Sequence, residues 1–128
     1  MKRLLPKQRQ PKVQAREGRL NRVELSGRLR ERKALRYTPA GVPVGEGVLE
    51  HASQQEEAGA PRQVACEIAV MALGEPARWL QAVPLGGTVR VTGFLAARSR
   101  NGKTPVLHVN TIEILEGNEN GTILQEEG

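Results

Sequence analysis

The chain has 128 residues, with 19 Lys and Arg against 14 acidic side chains and a net charge of +5, which leaves room for one domain and little else. A single cysteine excludes an intramolecular disulfide framework and points to a reducing compartment, the longest apolar run (Ile68 to Leu73) is too short to span a bilayer, and the basic N-terminus lacks the apolar stretch of a secretory signal. With one Tyr, one Trp and one Phe (Tyr37, Trp79, Phe94), the core must come from Val, Leu, Ile and Ala.

Residues 1–20 carry Lys2, Arg3, Lys7, Arg9, Lys12, Arg16 and Arg19 against Glu17, with no apolar periodicity. Such a segment cannot bury enough surface to offset its ordering entropy, so it reads as a disordered basic arm. Residues 116–128 hold four Glu and no basic residue and read as a disordered acidic tail. The body between them, residues 21–115, keeps a mild positive excess. A basic body with a basic arm favours a polyanion partner, because it attracts phosphates and releases their counterions.

Within the body the dominant signal has period two. Val23, Leu25 and Leu29 alternate with charged residues as a half-buried strand, with Gly27 on the apolar face. The Pro39-Ala40-Gly41 turn leads into a weaker strand over 43–51, where Gly45 and Gly47 lower the propensity. Ser53 to Pro61 reads as a polar loop. Val64, Cys66, Ile68, Val70 and Ala72 form a second apolar row, which makes Cys66 an inert core thiol. Pro76 sits where a first-turn proline is tolerated, and Glu75 to Val83 reads as a short helix, with Trp79 plugging the fold beneath it. Val89, Val91, Gly93, Leu95 and Ala97 share one face of the next strand, placing Phe94 on the other. Asn101-Gly102 marks a hairpin. Leu107 and Val109, then Ile112 and Ile114, complete the pattern with a parity slip at Asn110-Thr111, the signature of a bulge. Five strands with a helix after the third is the order of an all-β, five-stranded OB-fold barrel.

Asn21-Arg-Val-Glu-Leu-Ser-Gly27, Val48-Leu-Glu-His51, Gln55-Glu-Glu-Ala-Gly59, Arg62-Gln63, Gly93-Phe94, Asn101-Gly102, Val106-Leu-His108 and Ile112-Glu113 stand in an order and spacing that resemble primosomal replication protein N, the PriB family, over residues 21–115. The resemblance implies a homodimeric OB-fold in the bacterial cytoplasm that binds single-stranded DNA and the primosomal helicase during replication restart. It also implies no enzymatic activity, cofactor, metal, membrane or small-molecule substrate. It places Arg98, Arg100 and Lys103 in the DNA-binding loop between the last two strands, with Arg62 as a further nucleic-acid contact. Ala60 and Ala65 stand where relatives carry aromatics, and Ala52 where they carry a basic residue. Tyr37, beside Arg36 and close to Arg32 and Lys33, offers a compensating contact, its ring on a base and Arg36 and Lys33 on phosphate. Packing of the Tyr37 ring on the barrel wall is the alternative, and for Phe94 the choice lies between a base and a dimer interface.

The chain has no Asp, its histidines His51 and His108 lie far apart, and no Cys, His and carboxylate spacing suits zinc. Two other functions fit the same barrel: a protein-docking adaptor for the helicase with weak DNA binding, and a general single-stranded-DNA-binding protein. RNA binding would use similar contacts. If the arm adds phosphate contacts, removing residues 1–20 weakens DNA binding mainly at low ionic strength and flattens its salt dependence. An unchanged salt slope in the truncated protein rejects that role for the arm.

Overall fold

Val23–Arg32 (β1), Arg36–Tyr37 (β2), Pro43–Glu57 (β3), Ala60–Leu73 (β4), Glu75–Ala82 (α1), Thr88–Ala97 (β5) and Pro105–Ile114 (β6) follow one another along the chain, and Thr122–Ile123 (β7) pairs with β6. The structure, a computed structural model, describes residues 18–115 and 122–123. Most of the expected arm and tail (residues 1–17, 116–121 and 124–128) lies outside the described residues.

The sheet runs β1-β5-β6-β4-β3-β2, and a second pairing of β1 with β3 closes it. Neighbours are antiparallel except β4 and β6, which run parallel through Val70–Leu107 and Met71–His108. The result is the expected OB-fold, five long strands with one helix after the third. β1 serves two neighbours, pairing with β5 over 23–28 and with β3 over 28–32, and its register shifts between Leu29 and Glu31 as it turns from one to the other. On β6, Asn110 is the extra residue: Thr92 pairs with Thr111 but Gly93 with Val109. This bulge is the parity slip seen in the sequence. Gly93 lies there because a Cβ at that position would run into the His108 carbonyl.

The core is aliphatic, as composition required. Leu29, Leu49, Val70, Ala72, Val89, Val91, Leu107, Val109 and Ile112 line the barrel, and Ala77 and Leu80 of α1 close its end with Val83. Gly74, at a φ of 80°, turns the chain into α1, and Pro76 sits in the first turn. Trp79 packs partly buried against the core from the helix, as expected.

Three expectations fail for one physical reason. The strand expected over 43–51 runs from Pro43 to Glu57 and is the longest among the described residues, Ser53 to Pro61 is mostly strand rather than loop, and Cys66 is exposed rather than core. β3 and β4 run on past the barrel as a two-stranded ribbon, paired from His51–Cys66 to Glu57–Ala60 around an Ala58-Gly59 turn with both φ positive. Most residues of the ribbon are exposed on both faces, so no hydrophobic alternation announces it and its backbone ladder holds it together. Leu95, expected on the core face, is 37% exposed.

Candidate nucleic-acid interface

Two connections on one side of the barrel carry most of the expected site. The first joins β1 to β3. Its base is tied to the helix end, where Gln81 Nε2 donates to the Lys33 carbonyl at 3.0 Å and the Arg32 guanidinium donates to the Val83 carbonyl. The Lys33 N–H donates to the Glu46 carbonyl at 2.9 Å, and Arg36 and Tyr37 pair with Val44 and Pro43 before the Thr38–Gly41 turn. Lys33, Arg36 and Tyr37 therefore stand on a braced segment. The second connection is the β5–β6 hairpin, in which Arg98 N–H donates to Thr104 O at 3.1 Å and Ser99 N–H to Gly102 O at 3.1 Å. The Gly102 N–H also donates to Ser99 Oγ at 2.8 Å. The Asn101-Gly102 signal is thus a true hairpin, with Arg100 and Lys103 exposed on it.

Between the two connections lies a cleft of about 230 Å³, lined by apolar Val48, Ala69, Met71 and Val106 and by charged Glu31, Lys33, Glu46 and Arg98. Glu46 faces outward because its neighbours Gly45 and Gly47 are the buried positions of β3. Arg36 Nη2 donates to Glu46 Oε2 at 2.7 Å, and Lys33 Nζ lies 3.7 Å from Oε1. The Arg36 hydrogen bond, helped by the charges of Lys33, Arg36 and Arg98, holds the Glu46 carboxyl below the usual carboxylate range, although partial burial acts the other way. The carboxylate is therefore ionised at neutral pH.

A cross-strand row extends from this point over the outer face. Glu46 pairs with Met71, Met71 with His108, and His108 with Phe94. The Phe94 and His108 rings are stacked, with centroids 5.1 Å apart and planes at 12°, and Phe94 is 37% exposed. At the edge of β5, Asn21 braces the neighbouring backbone, donating to Leu95 O at 2.8 Å and accepting from Leu95 N–H at 3.0 Å.

Of the seven expected residues, the structure gathers Lys33, Arg36 and Arg98 around one carboxylate. Tyr37 stands on the same segment as Lys33 and Arg36, about half exposed at 53%. Arg100 and Lys103 are exposed on the hairpin but do not line the cleft. Arg62 stands apart on the ribbon, 3.2 Å from Glu57. Two residues escaped sequence reasoning. Glu46 sat in a segment read only as a weak strand, although an acid between two inward glycines is an outward acid. His108 becomes visible only once the β5–β6 register sets it against Phe94. Among the described residues no group of three or more His, Cys, Asp or Glu is placed to hold a metal ion, and no helix is long and apolar enough to cross a membrane.

A closed five-stranded barrel with a charged cleft between its β1–β3 and β5–β6 connections is the OB-fold arrangement in which those two connections meet oligonucleotides or oligosaccharides, and the profile described as another single-strand binding protein family matches residues 21–111. Replication restart protein PriB of Bordetella pertussis is 41% identical over 98 residues, 77% of this chain and 92% of the relative. The structure of PriB from Ralstonia solanacearum superposes with a TM-score of 0.67 at 36% identity, covering 74% of this chain and 97% of that one. A deletion mutant of the single-stranded DNA binding protein from Thermus aquaticus gives 0.63 at 27% identity, covering 80% of this chain and 53% of that one. The chain belongs to the PriB family of replication restart proteins.

Proposed function

We propose that this protein binds single-stranded DNA in replication restart, with the strand lying across the outer face of β3, β4, β6 and β5. The observation that carries this reading is the convergence of Lys33, Arg36 and Arg98, from two separate connections, on Glu46, which lines one partly apolar cleft together with Lys33 and Arg98. In this arrangement the three cations hold phosphates, Arg100 and Lys103 extend the contact along the hairpin, and bases stack on Tyr37 and on the Phe94–His108 pair. Arg62 serves a strand that continues onto the ribbon. Family membership supports the replication context, and the helicase and a second copy of the chain are the proposed protein partners.

Anisotropy of a labelled oligo-dT, titrated with the full-length protein at two salt concentrations, tests the reading. Binding in the nanomolar to low micromolar range with a steep salt slope is the expected result. The absence of binding at low salt would overturn it and leave a helicase-docking adaptor, a reading favoured by Ala52 and Ala65, which pair across the exposed ribbon without an aromatic platform. Sedimentation at micromolar concentration is expected to show twice the 14.0 kDa chain mass, and a 14.0 kDa species would reject the homodimer.

A further inference from the structure

The cleft is already lined by two carboxylates, Glu31 and Glu46, and Glu46 is the one that the cations engage. The Glu46 side chain is only 15% exposed and stands on β3 between two buried glycines, whereas the side chains of Lys33 and Arg36, at 74% and 58%, are largely exposed and open to a ligand. One Glu46 oxygen accepts from Arg36 at 2.7 Å, and the other lies 3.7 Å from Lys33. Arg98 lines the same cleft. A phosphate approaching these cations meets a carboxylate that already uses the Arg36 donor and a share of the Lys33 charge. An anion of the same geometry competes for the same guanidinium N–H groups.

From this geometry we infer that Glu46 occupies the phosphate position of the cleft, so that single-stranded DNA binds by drawing Lys33 and Arg36 away from it, and that Glu46 thereby sets the strength and salt dependence of binding. The inference rests on the DNA reading above and adds its governing residue. The carboxylate stays charged throughout the neutral range, because its cations hold its pKa low, so no pH change near neutrality removes it. Only a ligand that brings several phosphates at once exchanges well, because one phosphate merely replaces one anion with another. The pre-neutralised cations also release fewer counterions than their number suggests, and this flattens the salt slope.

The test compares Glu46→Gln with the full-length parent and with Glu75→Gln, which removes an equal charge from the Glu75–Arg78 pair on α1, away from the cleft. With labelled oligo-dT at low salt, E46Q is expected to bind about three- to tenfold more tightly, with a slope of log K on log salt steeper by about 0.7, the value of one phosphate contact on a single strand. E75Q is expected to change affinity by less than about twofold, as an exposed charge distant from the ligand does. Glu46→Ala repeats the test without the amide and is expected to show the same gain, and thermal unfolding confirms that the variants are folded. Unchanged affinity in a folded E46Q or E46A, or an equal gain in E75Q, overturns the role of Glu46 while leaving the DNA reading in place. Absence of binding by parent and variants alike at low salt overturns the DNA reading, and this inference falls with it.

Discussion

Alanine at Lys33, Arg36 and Arg98 together is expected to lower affinity for oligo-dT by roughly 30-fold at about 50 mM salt and to flatten the slope of log K on log salt by about 1.4, since the three cations, less the one charge that Glu46 neutralises, amount to two net phosphate contacts on a single strand at about 0.7 each. The loss exceeds that from any general reduction in charge because the three cations surround one carboxylate at the cleft and engage neighbouring phosphates of one strand. Removing them also leaves the Glu46 carboxylate facing the ligand without a counterion. Alanine at Arg100 and Lys103 is expected to cost less, since these side chains stand exposed on the hairpin outside the cleft. Anisotropy titrations of both variants over a range of salt concentrations give the comparison. If the triple variant binds like the parent, the cleft is not the DNA site. If the hairpin variant loses more, the strand runs along the hairpin instead. The cations are well exposed, so the triple variant is expected to fold and its melting temperature to change little.

Gly93→Ala is expected to destabilise the fold by about 3 kcal/mol, at the upper end of what overpacking usually costs. The added methyl would fall on the His108 carbonyl, a backbone atom held in the β5–β6 ladder that no rotamer change can move aside. Relief requires the bulge at Asn110 to shift, and with it the alignment of Phe94 on His108. Gly102→Ala provides the control. Its new Cβ would meet Ser99 Oγ at 3.1 Å, a hydroxyl that can rotate away, and it is expected to cost less than about 1 kcal/mol. Chemical denaturation of the two variants tests the contrast. Equal stability would mean that the bulge yields more readily than its backbone contact implies.

Both arguments turn on features that differ in how plainly the sequence announces them. The barrel strands were legible wherever one face meets the core. Val89, Val91 and Gly93 alternate in sequence as they do in space, and the slip at Asn110-Thr111 marks the bulge because burial enforces parity on both sides of it. The ribbon was illegible for the converse reason. From Ser53 to Val64 it has no core to satisfy, so Gln, Glu and Ser serve as well as Val, and Ala58-Gly59 is no recognised hairpin signal despite its two positive φ angles. Cys66 continues the apolar row of β4 in sequence but lies beyond the point where the strand leaves the barrel, and so it is exposed. For the site, residue type identified the cations and the hairpin, and the resemblance identified the loop. What neither provided was the convergence. Lys33 and Arg98 stand far apart in the chain, and Glu46 becomes their shared neighbour only when β1 crosses to pair with β3.

The double pairing of β1 has a kinetic consequence. Val23 pairs with Gly93 and Arg32 with Gly47, while β4 finds its parallel neighbour only through Leu107 and His108. Nearly every contact that closes the barrel joins segments distant in sequence, so the loop-closure entropy must be met before the core rewards it. Such a chain folds late, on a scale of roughly milliseconds to seconds for barrels of this kind. During synthesis the first three strands have no closed core until Ile112 has emerged, because that residue, fully buried at the end of the last long strand, helps complete the interior. Until then the free edges of β3 and β4 are exposed to other chains, which makes the incomplete barrel the species most open to edge-to-edge pairing.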